Sequence, residues 1–106
     1  MNATTPRFHL MIQYDWKAHI GAERRLYHVR KILGLLEKRV PGLLDLRFGP
    51  RLCAHPADMN TWDDAAVMVF GSHQDYIDFG TSAAHDEVAF ELVADLERIQ
   101  YIGFTG

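Results

Sequence analysis

The sequence predicts an α+β fold: a four-stranded antiparallel sheet in the order βαββαβ, with the helices on one of its faces. Three observations carry this expectation. Residues 8–16 alternate with a period of two, as in a strand. Residues 21–40 repeat apolar side chains at three- and four-residue steps, as in a helix. Both patterns then recur between the breaks Pro41-Gly42, Gly49-Pro50, Gly71-Ser72 and Gly80-Thr81.

The first seven residues, Met1 to Arg7, lack an apolar core and read as a short tail, which leaves 8–106 as one domain. In the first strand, Phe8, Leu10, Ile12, Tyr14 and Trp16 share one face, while His9, Met11, Gln13 and Asp15 share the other. Gly21 and Ala22 open the first helix, whose expected core stripe is Leu26, Val29, Leu33, Leu36 and Val40. Its basic residues Arg24, Arg25, Arg30, Lys31, Lys38 and Arg39 are expected on a solvated face. Leu43 to Phe48 is the second strand, with Leu44, Leu46 and Phe48 on one face, and a loop follows from Arg51 to about Thr61. Asp64 to Phe70 is the third strand. Ser72 and Asp75 then form a capping-box-like start for a short helix from His73 to Phe79.

Gly80-Thr81 interrupts that helix, and Ser82 is the N-cap of its continuation, from Ala83 to about Leu96. His85 shares this helix's apolar stripe with Val88, Ala89, Leu92, Val93 and Leu96, which makes it the one polar residue on the core side. Arg98 to Phe104 supplies the last strand.

This order is that of a ferredoxin-like plait, which leaves one sheet face bare. An exposed Phe8, Leu10, Ile12, Tyr14 and Trp16 face is too apolar for a monomer, so a second copy is expected to cover it, sheet on sheet, as a dimeric α+β barrel. His9, Met11 and Gln13 then fall beneath the helices and point towards His85.

Composition narrows the function. In 106 residues with 48% apolar and 24% charged side chains, no run approaches a membrane span. A net charge of −3 with mixed signs gives no footprint for nucleic acid. Cys53 is the only cysteine, which agrees with a reducing, cytoplasmic setting, and its neighbour His55 lacks the second ligand pair that a zinc site needs.

The segment from Phe70-Gly-Ser-His-Gln-Asp-Tyr-Ile-Asp-Phe79 to Thr81-Ser-Ala-Ala-His85, with Val40-Pro41-Gly42, Phe48-Gly49, Asp64 and His9, resembles the stress-responsive A/B barrel (Dabb) family of dimeric ferredoxin-like proteins. Ala83 stands where the family usually has proline, and Gly103 where members tend to carry an aspartate. A plant polyketide cyclase of this group uses a histidine and a tyrosine without a cofactor. Its histidine matches His85, but its tyrosine falls on Phe79, which has no hydroxyl to donate. Tyr76, three residues earlier, is the substitute hydroxyl. The family's first-strand histidine matches His9 in one register and Leu10 in the register shifted by one.

Two functions follow. The resemblance implies a cofactor-independent enzyme of cyclase, isomerase or lyase type, or a cofactorless monooxygenase, acting on a small apolar carbonyl or phenolic compound. Its catalytic residues would be His85 as general base with His9 and Tyr76, since an imidazole titrates near neutral pH. Phe79, Met11, Val29, Leu33, Val67 and Leu92 would line the pocket, with no cofactor and no metal. The alternative is a non-catalytic, stress-associated or metabolite-binding homodimer in which His85 is fully hydrogen-bonded inside the core.

Overall fold

The computed structural model describes residues 5–50 and 62–106, apart from the side chain of Pro50; Cys53 and His55 lie outside the described residues. The elements are β1 (Phe8–Trp16), α1 (Ala22–Glu37), β2 (Leu43–Pro50), β3 (Asp64–Phe70), α2 (His73–Gly80), α3 (Ala83–Asp95) and β4 (Leu96–Thr105). The strands form one sheet in the order β2-β3-β1-β4, every neighbouring pair antiparallel. This is the ferredoxin-like α+β arrangement, with the second helical segment divided at Thr81 and Ser82.

The two faces of β1 are the reverse of those expected. Phe8, Leu10, Tyr14 and Trp16 are buried in the core with Met68, Phe70, Leu35 and Leu92. Met11 on the opposite face is 40% exposed, beside Ile102 at 47% and Phe104 at 49%. Alternation along a strand separates two faces but does not say which one receives the helices, and here the larger aromatic set takes the core. Each such apolar side chain contributes about 1.5–3 kcal/mol through burial.

Helix α1 is rotated in the same sense. His28, Ile32 and Leu35 are its buried residues, whereas Leu26, Leu33 and Leu36 are exposed. Two apolar stripes with three- and four-residue steps run along this helix, and the one containing a histidine is the one that enters the core. A bulge between Leu43 and Asp45 in β2 likewise takes Leu44 out of phase with Leu46, leaving Leu44 51% exposed while Leu46 is buried.

His28 is tolerated because it is paired. Its Nε2 lies 2.6 Å from Asp95 Oδ2 at the end of α3, and its ring stacks on Trp16. A carboxylate only accepts, so Nε2 carries the hydrogen. Arg24 Nε also donates to Asp95 Oδ2, at 2.7 Å, and the backbone N–H of Lys17 donates to the Asp95 carbonyl at 2.9 Å. Arg24, Arg30, Lys38 and Arg39 are exposed, as expected of a solvated face, and some of the basic residues also reach across to α3: Lys31 to Glu91 and the Glu87 carbonyl, and Lys38 to Glu87. The hydrogen bond from His28, and after it that from Arg24, hold the Asp95 carboxyl below its ordinary value.

A carboxyl lowered in this way contributes stability that is fully present above the ordinary carboxylate range near pH 4 and is lost as pH falls through the folded value. Asp95→Ala leaves the buried His28 N–H without its partner and should cost about 1–3 kcal/mol at pH 7 in urea unfolding. The variant should also lose less stability than the wild type between pH 5 and about pH 2; equal stability at pH 7 would contradict the pairing.

Candidate active site

Between the helices and the inner sheet face lies a cavity of about 150 Å³. The sheet contributes Leu10, Ile12, Tyr14, Met68 and Tyr101 to its wall, while Ile32, Leu35, Val88 and Leu92 come from α1 and α3. That lining is apolar with a few polar groups, which is the usual character of a small-molecule site.

His85 belongs to this wall, on the first turn of α3. Ser82 sets it there: the serine Oγ accepts from the His85 backbone N–H at 3.2 Å and donates to the Phe79 carbonyl at 2.6 Å. The N-cap thereby joins the end of α2 to the start of α3. Phe79, buried below, presents its ring edge-on to the imidazole with centroids 5.3 Å apart. His85 also borders the outer surface of α3 with Asp86 and Phe90, and its side chain is 37% exposed, so it stands at the boundary between cavity and solvent. It is not a core histidine with both nitrogens satisfied.

Its hydrogen bond defines what the ring can do. Nδ1 lies 3.2 Å from Asp86 Oδ1, and since the carboxylate only accepts, Nδ1 carries the hydrogen. In the neutral ring Nε2 then holds the free lone pair, and among the described residues nothing bonds to it. A histidine oriented by a carboxylate, with its second nitrogen open, is the arrangement of a general base.

Of the other residues singled out from the sequence, Tyr76, Phe79 and Leu92 share the cavity wall with His85. Tyr76 stacks on Phe8 at 4.6 Å. His9 does not join them: its Nε2 lies 3.1 Å from the Gly106 carbonyl and its ring stacks on Phe104, on the open sheet face. Met11 and Val67, opposite one another across β1 and β3, are on that same face. Leu33 is exposed on the outer side of α1, and Val29, partly buried, is not in the cavity wall. His9, Met11, Val67, Val29 and Leu33 are therefore not part of the cavity wall; on β1 and β3 the wall takes the adjacent residues Leu10 and Met68, and on α1 it takes Ile32 and Leu35. Of the two β1 registers, the structure puts Leu10 towards the cavity.

Gly103 has a steric cause. It sits opposite Leu10, and a Cβ at this position would come within 2.5 Å of Phe8 Cζ. A side chain could enter β4 here only by displacing the Phe8 ring.

Sequence reasoning missed Tyr14. It is 1% exposed, lines the cavity, and among the described residues its hydroxyl has no hydrogen-bond partner. Burial, and after it the nearby Asp64 carboxylate, push this phenol well above its ordinary value, so it stays protonated. Asp64 itself is occupied by the Trp16 indole, whose Nε1–H donates to Oδ2 at 2.6 Å. The sequence signal was a lone phenolic oxygen within the apolar alternation of β1. Tyr101 is also lifted, by desolvation first and by neighbouring Tyr76 second. Among the described residues no three His, Cys, Asp or Glu side chains converge as a metal site.

Solved structures share this architecture. A hydroxynitrile lyase from Passiflora edulis superposes with a TM-score of 0.82 at 18% identity, covering 98% of this chain and 95% of its own. A dimeric ferredoxin-like protein of unknown function from Thermobifida fusca gives 0.81 at 13% identity, over 100% and 96% of the two chains. A Dabb family protein from Mesorhizobium loti gives 0.70 at 17% identity, over 96% and 98%. The chain shares its fold with a Dabb protein. No family model matches it, and no curated protein is similar to it in sequence. No helix among the described residues is long and apolar enough to cross a membrane.

Removing the cap that sets His85 has a measurable cost. Ser82→Ala should lower stability by about 1 kcal/mol in urea unfolding and move the His85 ring resonances in NMR spectra. Unchanged resonances would show that the cap does not position the ring.

Proposed function

We propose that this chain is a Dabb-type, cofactor-independent proton-transfer enzyme for a small apolar carbonyl or hydroxyl compound, acting as a homodimer. The observation that carries the reading is His85: Nδ1 tied to Asp86, Nε2 open, in the wall of an apolar cavity. A base in such a wall meets its substrate partly shielded from water, which strengthens its electrostatic interactions with the reacting atoms.

Phe79 argues against the tyrosine–histidine chemistry of the family's polyketide cyclase, because a phenyl ring donates nothing to a developing oxyanion. Lyase chemistry needs only a base at the hydroxyl, and the likeness to a hydroxynitrile lyase supports this arm. His85 would take the hydroxyl proton of a 2-hydroxynitrile, the carbon–carbon bond to the nitrile would break as the carbonyl forms, and cyanide would leave with the electron pair and take up a proton. Small aliphatic and monocyclic hydroxynitriles are the first substrates to try, followed by carbonyl release. His85→Ala should reduce turnover at least about 100-fold without changing the circular dichroism spectrum. Full turnover by a folded His85→Ala protein would sink the assignment.

The homodimer reading is supported by the open sheet face. Met11, Ile102 and Phe104 form an exposed apolar strip there beside Val67 and Val69, and the Thermobifida fusca neighbour is described as dimeric. Two copies packed through this strip would give the barrel. Light scattering at micromolar concentration should read twice the 12.1 kDa chain mass. Ile102→Glu, which puts a charge into the centre of the strip, should read the single-chain mass; a dimer that survives it places the interface elsewhere.

A further inference from the structure

Buried tyrosine hydroxyls almost always find a partner, because leaving one unmade forfeits the hydration it had in the unfolded chain. Tyr14 is the exception here. Its hydroxyl is the one buried side-chain polar atom without a hydrogen bond among the described residues. Its ring is held firmly, edge-on to Trp16 at 5.3 Å and tilted against Phe48 at 5.7 Å. The nearest carboxylate, Asp64, takes the Trp16 N–H instead. Leu10, Ile12, Leu35 and Leu92, which share the cavity wall with Tyr14, offer it no acceptor, and the polar side chains of that wall, Tyr76, His85 and Tyr101, make no hydrogen bond to it.

We infer that Tyr14 is a ligand-binding residue, whose hydroxyl hydrogen-bonds an oxygen of a ring-sized phenolic or carbonyl compound held in the cavity. Three properties support it. The volume of about 150 Å³ is on the scale that takes up a benzene-sized molecule. The phenol remains protonated, because burial and Asp64 both oppose its ionisation, so it can donate to a carbonyl or phenolate oxygen as well as accept. Its position also separates it from His85. Tyr14 belongs to the β1 strand in the sheet wall of the cavity, whereas His85 is on the first turn of α3 in its helical wall. An oxygen held at Tyr14 is therefore an anchoring group, distinct from the one whose proton His85 would take. A compound bearing one polar group at each end of a small apolar body is the class of ligand this pair would select.

The assignment rests on the reading of the cavity as a ligand site, but it is tested by binding and not by turnover, so it can fail while His85 stands, or the reverse. Phenol and toluene are near-isosteric probes that differ in one oxygen. Calorimetry on the wild type should show both binding at millimolar concentration or tighter. Tyr14→Phe should weaken phenol about tenfold and leave toluene within twofold, since the variant loses only the partner for the oxygen. The same substitution should leave the thermal midpoint unchanged or raised, because it removes an unpartnered buried hydroxyl. A phenol-to-toluene ratio that does not move in Tyr14→Phe, a lowered thermal midpoint in that variant, or a wild type that binds neither probe would each overturn the assignment.

Discussion

Asp95 is the point at which two helices and the first strand are tied together. Its carboxylate takes the His28 ring N–H and the Arg24 guanidinium from α1, and its carbonyl takes the Lys17 N–H just past β1. These three bonds fix the end of α3 against the sheet and the rotation of α1 about its own axis. The rest of the layer follows from that rotation. With His28 inward, Ile32 and Leu35 must also be inward, because they lie on the same side of the helix, and these two then form part of the cavity wall. A buried histidine is costly alone, but one bonded to a carboxylate and stacked on Trp16 becomes a fixed point of the packing.

The other end of α3 is held by a different device. Ser82 joins the last turn of α2 to the first turn of α3, and the short rise from cap to third residue delivers His85 to the cavity wall. The helix is therefore pinned at both ends, by a hydroxyl at one and by a carboxylate at the other. Between these pins its inner side is Val88 and Leu92, too small to fill the space above Leu10 and Met68, and the cavity is the result. His85 and Tyr14, the residues assigned proposed roles, are thus set on regular elements and not on loops, which is where geometry is held best.

Much of this was legible in the residues. The order of elements, the capping by Ser72 and Ser82, and the presence of His85 at a cavity wall all rest on local rules that tertiary contacts reinforce, though His85 stands at the cavity's solvent boundary and not in the core. The failures were of one kind. For β1 and α1 the alternatives were two apolar faces of nearly equal strength, and the choice between them went the wrong way. Phe8, Leu10, Tyr14 and Trp16 are core, and Met11 is not; Ile32 and Leu35 are core, and Leu33 and Leu36 are not. His28 misled because a histidine counts as polar in any periodicity, and its partner lies 67 residues away. Leu44 misled because a bulge changes the phase of a strand without any glycine to announce it.

What the chain determines by itself is the sequence of strands and helices, their caps and the residue types available to a site, since these depend on steps of two, three or four residues along the backbone. What only the tertiary structure decides is which face of β1 meets the helices, and so whether His9 or Tyr14 accompanies His85. That choice turns on long-range contacts: the Asp95 pins, the Phe8 ring over Gly103, and the pairing of β1 between β3 and β4. A one-residue change of face is invisible to local periodicity but exchanges every side chain in the cavity, because the period of a strand is two.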